Sequence, residues 1–265
     1  MTQNTASLAG RSPRSRLSPK FTLRLTQIGF LLLALGAWEA ATGSGAINKI
    51  FLPSPGNVAQ KAATIFPTHA FLVDLATTIG SVIVAYGCAV LAGVGSGALI
   101  GRNRFAYEVV EPILSSLFAI PLIIFFPLIL LVAGIGPASK IAFAGLYGFF
   151  PIALSTMSGC VAVDNRYLLY ARTLGASRWL LARRILIPAA LPQIISGLRI
   201  GFVVTFASVV AGEMIASLAG LGHAITYYSQ IMDSAKMFAV IGVVIFLTWV
   251  MNSLLTLLAR TGERM

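Results

Sequence analysis

Residues 75–100 read LATTIGSVIVAYGCAVLAGVGSGALI, and no charged side chain lies between Asp74 and Arg102. A helix needs about 20 consecutive apolar residues to cross the hydrocarbon core of a bilayer. Inside lipid, a helix also satisfies all of its backbone hydrogen-bonding groups within one segment. Similar apolar stretches recur along the rest of the chain. The sequence therefore predicts an all-α, polytopic membrane protein.

These stretches predict six transmembrane helices, which are numbered spans one to six. Their predicted bounds are 25–42, 75–100, 112–134, 141–160, 192–217 and 237–259. Span five is the least uniform, because Arg199 lies near its start and Glu213 near its end, where both side chains can reach water. Residues 1–24 are rich in Ser, Pro and Arg and predict a disordered basic tail, and residues 25–265 form the transmembrane domain. A cleaved signal peptide is the alternative for the first span, but the basic stretch before it is long for that.

The distribution of charge predicts the orientation of the spans. Only 10% of the 265 residues are charged and 57% are hydrophobic, yet the net charge is +11. If the N-terminus is cytoplasmic, 15 of the 19 Lys and Arg residues fall on the inner side and four, Lys49, Lys61, Lys140 and Lys236, on the outer side. This bias is typical of inner-membrane proteins with both termini in the cytoplasm. Since topology explains the basic residues, nucleic-acid binding is not expected.

The residues that carry common catalytic or metal chemistry are sparse. Cys88 and Cys160 lie in or beside apolar spans without metal-ligand spacing, and His69 and His223 are far apart in the sequence. No Walker A, H-E-x-x-H or G-x-S-x-G motif is present. We therefore expect no cofactor, no metal site and no enzymatic activity in this chain.

The inner segment 164–191, between spans four and five, is longer than a turn requires. Asp164 or Asn165 can cap a first short helix, and Gly175 suits the left-handed residue that ends it. Ser177 can cap a second helix over 178–186, and Pro188 predicts a break after it. Apolar residues and five arginines alternate along both helices. The pair is either an interfacial element lying on anionic lipid or a docking element for a cytoplasmic partner.

The same segment resembles the EAA loop of binding-protein-dependent ABC importer permeases. Nine residues separate Gly175 from Ile185, as in that motif, and Pro188 is in register, whereas Leu169 and Tyr170 replace the motif's Glu and Ala. Further matches to the nitrate/sulfonate/taurine-type branch are Leu52-Pro53-Ser54-Pro55, Gly134-Ile135-Gly136, Gly197-Leu198-Arg199 and Glu213-Met214. That branch handles small organic and inorganic anions and also some heterocyclic precursors.

The resemblance implies partners and a coupling role. It implies a homodimer in the inner membrane, a cytoplasmic ATP-binding subunit that hydrolyses ATP, and an external substrate-binding protein. The first short helix of the loop would dock on the ATP-binding subunit. The residues expected to couple the two proteins are Tyr167, Leu168, Tyr170, Ala171, Arg172, Thr173, Leu174, Gly175, Ala176, Ser177, Ile185 and Pro188.

The translocation path has weaker signals. Pro121 and Pro127 predict kinks in span three, which either line the path or serve packing. Glu213 is expected either to make structural hydrogen bonds or to touch the path or the binding protein. Gly93, Gly97 and Gly101 form a small-residue ridge in span two, for internal packing or a dimer seam. A stand-alone secondary transporter or channel is the alternative function, but no inverted repeat or coupling charge supports it.

Overall fold

A computed structural model describes residues 19–45, 48 and 50–262, and within these residues every regular element is a helix. The α-helices are α1 (Pro19–Gly43), α2 (Pro55–Ile65), α3 (His69–Gly101), α4 (Arg104–Ala119), α5 (Phe126–Ala133), α6 (Pro137–Val161), α7 (Asn165–Thr173), α8 (Arg178–Leu181), α9 (Ile187–Ile215), α10 (Leu221–Gln230) and α11 (Ser234–Gly262). A 3-10 turn spans Leu122–Phe125 and a π turn spans Ala182–Leu186. The all-α prediction is confirmed.

Five helical segments are long and apolar enough to cross a membrane among the described residues. They are Leu25–Gly43, His69–Gly101, Pro137–Val161, Trp179–Ile215 and Ser234–Leu254. The third predicted span is instead a bent pair, in which α4 meets the segment Leu122–Ala133 at 75°. Counting that pair as one span gives the six crossings that the sequence predicts. The bend falls at Ile120-Pro121, where the proline cannot continue the helical hydrogen bonds of α4.

The described residues fall into two compact units, which divide after Gly56. Within the described part of the first unit, α1 begins at Pro19, so residues 19–24 of the stretch predicted as a tail are helical. Residues 1–18 lie outside the described residues. The Trp38 indole N–H donates to the Pro53 carbonyl oxygen at 3.0 Å, which ties the end of α1 to the segment before α2.

Helix α6 is the centre of the second unit and packs between α3 and α9 through small residues. A Cβ atom at Gly97 of α3 would lie 2.7 Å from the Thr156 Cβ of α6, and one at Gly197 of α9 would lie 2.5 Å from the Ser155 Cβ. Gly93 and Gly101 approach α6 in the same way. The ridge in α3 therefore serves internal packing, the first of the two alternatives left open by the sequence.

Aromatic contacts hold the bent pair against α6. The ring centroids of Phe126 and Phe143 lie 5.1 Å apart, and those of Phe118 and Tyr147 lie 5.6 Å apart. Phe126 and Phe143 are almost fully buried. Both halves of the bent pair are thus packed against α6, α4 through Phe118 and α5 through Phe126.

Candidate coupling surface and translocation path

Helix α7 is capped at its start by a side chain and ended by a glycine turn. The Asp164 Oδ1 atom accepts a hydrogen bond of 2.9 Å from the Arg166 N–H and so caps the start of the helix. At the other end, Gly175 has a φ of +81°, the left-handed region that favours glycine. The Ala176 N–H then donates back to the Ala171 carbonyl oxygen at 3.0 Å, which closes the helix end. Both the cap and the glycine turn follow the sequence prediction.

Helix α8 begins at the predicted cap, but the chain does not break after it. The Ser177 Oγ atom accepts from the Leu180 N–H at 3.3 Å. Instead of the break expected at Pro188, the π turn over Ala182–Leu186 leads directly into α9, and Pro188 lies in the first turn of that helix. A proline ring collides with the carbonyl four residues earlier, and a widened turn is a way to relieve that collision. The helical path from Arg178 to Ile215 is therefore continuous.

The two short helices present large apolar side chains to the outside. Their exposed fractions are 62% for Leu169, 69% for Tyr170, 87% for Leu174, 71% for Trp179 and 41% for Leu180. A concentration of exposed apolar groups on a small area is typical of a surface that a partner or a lipid covers. The five residues Leu169, Tyr170, Leu174, Trp179 and Leu180 are called the coupling surface below.

Seven of the remaining predicted coupling residues have side chains within the described part of the chain. Thr173, Gly175, Ser177 and Pro188 are exposed, and Ala171, Ala176 and Ile185 are half-buried. Tyr167, Leu168 and Arg172 belong to α7, but their side chains lie outside the described part of the chain. Exposed Arg166, Arg183 and Arg184 add positive charge to the same segment.

Glu213 is buried at the far end of α9, with 1% of its surface exposed, so the expectation that water reaches it is wrong for this conformation. Its carboxylate accepts from the Thr78 hydroxyl at 2.8 Å and from the Gly222 N–H at 3.0 Å. The Thr78 oxygen in turn accepts from the Leu221 N–H at 2.8 Å. Glu213 and Thr78 together thus hold the first two amides of α10.

Two further polar contacts fix the loop that joins α9 to α10. The Lys140 Nζ atom of α6 donates to the Ser217 Oγ atom at 2.5 Å, and the Gly220 N–H donates to the Asp74 carboxylate of α3 at 2.7 Å. Gly220 has a φ of +120°, a conformation that side chains rarely adopt. Thr78, Asp74 and Lys140 were not predicted as partners of this loop; the one signal in the sequence is that Asp74 and Lys140 end charge-free stretches.

The two prolines proposed for the path lie at the bend between α4 and α5. Pro121 precedes the 3-10 turn, with a φ of −66° and a ψ of 88°, and Pro127 lies in the first turn of α5. Both are exposed in the single chain. Pro121 and Pro127 are thus accessible, whereas Glu213 is buried.

The chain is similar to known proteins in sequence and in fold. Residues 89–262 match the family model described as "Binding-protein-dependent transport system inner membrane component". The taurine transport system permease protein TauC of Escherichia coli is 31% identical over 249 residues, which cover 92% of this chain and 90% of that protein. The nitrate import permease protein NrtB of Synechocystis is 28% identical over 235 residues, 84% of this chain and 83% of that protein.

A solved structure shares the fold. A chain of the MetNI methionine ABC transporter, in an inward-facing conformation, superposes with a TM-score of 0.64 at 20% identity and covers 74% of this chain and 98% of its own length. The family match extends over well more than half of the chain, and the two named relatives are permeases of the taurine and nitrate branch. The chain therefore belongs to the family of binding-protein-dependent transport system inner membrane components, the permeases of ABC importers.

Proposed function

We propose that this permease is driven by a cytoplasmic ATP-binding subunit that docks on the coupling surface of α7 and α8. The observation that carries the proposal is the exposure of five large apolar side chains on two short helices fixed by caps and a glycine turn. Short capped helices move as rigid bodies, so they are suited to pass on a displacement of a bound partner. In this proposal the partner binds and hydrolyses ATP, and this chain does not.

The displacement would reach the membrane through α9. Helical structure continues without interruption from Arg178 through the π turn to Ile215. The 29 residues of α9 extend over about 43 Å, enough to cross the hydrocarbon core. A shift of α8 would therefore displace Glu213, where buried hydrogen bonds join α9 to α3 and α10. We infer that this linkage converts a cytoplasmic movement into alternating access of the path.

The remaining parts of the proposal follow the family and the charge distribution. Two copies of the chain would form the path, with both termini and residues 1–24 in the cytoplasm, and a soluble binding protein would deliver substrate from outside. The bend at Pro121 and Pro127 would line the path, and Glu213 would hold its outer end. The substrate would be a small organic or inorganic anion, a class supported by the taurine and nitrate permeases among the relatives.

A pair of matched variants tests the docking surface. Leu174 and Leu218 are exposed to nearly the same extent, 87% and 85%, but Leu174 adjoins Gly175 whereas Leu218 lies in the loop after α9. Leu174→Asn should weaken co-purification of the ATP-binding subunit about tenfold or more, because the leucine would become buried in the contact and its apolar surface is then lost. Leu218→Asn should leave co-purification unchanged.

The same variants separate the proposal from its alternatives. A stand-alone transporter would keep full uptake in Leu174→Asn, with no ATP-binding subunit retained by the wild type. If α7 and α8 instead lie on the lipid surface, Leu174→Asn should weaken the contact of this segment with vesicles and still retain the ATP-binding subunit. Either result would contradict docking at the coupling surface.

A further inference from the structure

A cavity of about 290 Å³ lies between α9 and α11, away from the coupling surface. It is lined by Ser196, Arg199, Ile200, Val203, Val204 and Asn252. Since a water molecule occupies about 30 Å³ of liquid, the cavity has room for a small solute or a headgroup. These six residues are called the Arg199 groove.

The polar side chains of the Arg199 groove have no partner within the described part of the chain. Ser196, Arg199 and Asn252 make no side-chain hydrogen bond there, and the ion pairs found among the described residues are Arg104–Glu108 and Lys236–Asp233. Arginine stays charged in proteins and offers five N–H donors. An unpaired charge within a transmembrane helix is costly, and such residues face a water-filled cavity or bind a counter-charge.

The other three lining residues are apolar. Ile200, Val203 and Val204 lie on α9 beside and beyond Arg199 and offer no hydrogen-bonding side chain. The groove therefore combines a guanidinium, a hydroxyl and a carboxamide with three aliphatic side chains. This combination fits a ligand with an oxyanion at one end and a short apolar part at the other.

We propose that the Arg199 groove is a binding site for a sulfonate- or phosphate-type oxyanion, held by Arg199 and oriented by Ser196 and Asn252. A soluble substrate anion and the headgroup of an anionic lipid share this chemistry. If the occupant is the substrate, the inference rests on the proposed transport function and names side chains that contact the anion on its way through the permease.

The test measures binding to the full chain in phosphatidylcholine nanodiscs without any ATP-binding subunit, so failure of docking at the coupling surface cannot affect it. The probes are ethanesulfonate, its neutral analogue dimethyl sulfone, and phosphatidylglycerol. Arg199→Gln should lower the affinity for ethanesulfonate about tenfold or more, because a charge-assisted contact is lost. Arg199→Lys should retain part of it, and Ser196→Ala or Asn252→Ala should weaken it several-fold.

Arg102→Gln is the matched control. Arg102 is exposed at the end of α3 and carries the same charge, so its removal should leave ethanesulfonate binding unchanged. Dimethyl sulfone, which carries no charge, should bind neither the wild type nor Arg102→Gln. If Arg199→Gln fails to fold, the wild type still gives an answer: ethanesulfonate should protect Arg199 from modification by phenylglyoxal, as read by peptide mass spectrometry.

The lipid arm identifies the source of the oxyanion. The groove binds a lipid headgroup if three results hold. The wild type retains phosphatidylglycerol in native mass spectrometry, Arg199→Gln loses it, and phosphatidylglycerol competes with ethanesulfonate. Sulfonate binding that phosphatidylglycerol does not displace would assign the groove to the soluble substrate. Equal binding of both anions by the wild type and Arg199→Gln, or no protection of Arg199, would overturn the proposal.

Discussion

Thr78 offers a sharp test of how the C-terminal end of α9 is held. Its fully buried hydroxyl donates to the Glu213 carboxylate at 2.8 Å and accepts from the Leu221 N–H at 2.8 Å. Thr78→Val keeps the shape of the side chain and removes both contacts. Thr78→Ser keeps the hydroxyl and removes one methyl group, so it is the matched control.

The expected cost follows from the two lost contacts. A hydrogen bond to a charged group contributes about 1.5–3 kcal/mol, and leaving a buried donor such as the Leu221 N–H unpaired costs about 1–3 kcal/mol. Thr78→Val should therefore lower the free energy of opening at the start of α10 by about 3 kcal/mol or more. Thr78→Ser should lower it by about 1 kcal/mol, the value of one buried methyl group.

Amide hydrogen exchange of the full chain in nanodiscs measures this opening directly. In Thr78→Val, peptides covering 216–230 should exchange about 100-fold faster than in the wild type, since each 1.4 kcal/mol corresponds to a factor of ten. Peptides from α6 should change much less. Equal exchange rates in Thr78→Val and Thr78→Ser would refute the role given to the hydroxyl.

Three further predictions concern the turn, the helix packing and a surface acid. Gly175→Pro should abolish transport while leaving membrane insertion intact, because proline cannot adopt the φ of +81°; unchanged uptake in vesicles would count against the turn. Gly97→Ala should destabilise the chain by about 1–3 kcal/mol in thermal unfolding, because its Cβ would lie 2.7 Å from a neighbouring side chain, whereas the control Gly95→Ala meets no atom within 4 Å and should be neutral or stabilising. Burial acts to raise the pKa of Asp233, but hydrogen bonds from Lys236 outweigh it and hold that pKa below its ordinary value. The start of α11 should accordingly be protected from proteolysis at neutral pH and lose protection as the pH falls below about 4, a dependence that Asp233→Asn should remove.

The hydrophobic pattern of the sequence predicted most of the helical architecture. Charge-free stretches of sufficient length located the helices, because lipid leaves few alternatives for the backbone. Apolar composition is the same in a straight and a broken helix, so the hydrophobic pattern alone could not predict the 75° bend in span three; the kink there was predicted from Pro121. Pro121 was the local signal, but prolines also occur inside helices here, as Pro112, Pro151 and Pro192 do.

Sequence spacing predicted the hydrogen bonds of the segment 164–191 correctly, but it did not predict the surroundings of Glu213. The cap at Ser177 and the turn at Gly175 depend on neighbours a few residues away, so sequence spacing was sufficient. The burial of Glu213 depends on Thr78, which is 135 residues distant, and on the return of the chain at Gly222. Because Glu213 lies near the end of an apolar stretch, the sequence suggested that water reaches it, whereas the fold buries it among hydrogen-bond partners.

Photo-crosslinking at the coupling surface tests the central claim most directly. A photoreactive amino acid would replace Leu174 in living cells, and the same replacement at the equally exposed Leu218 would serve as the control. We expect the probe at 174, and not the probe at 218, to form a covalent adduct with an ATP-binding subunit, identified by peptides from its nucleotide-binding sequence. An adduct at 174 with phospholipid alone, in cells where the importer is active, would contradict the claim that α7 and α8 transmit the movement of a cytoplasmic ATPase.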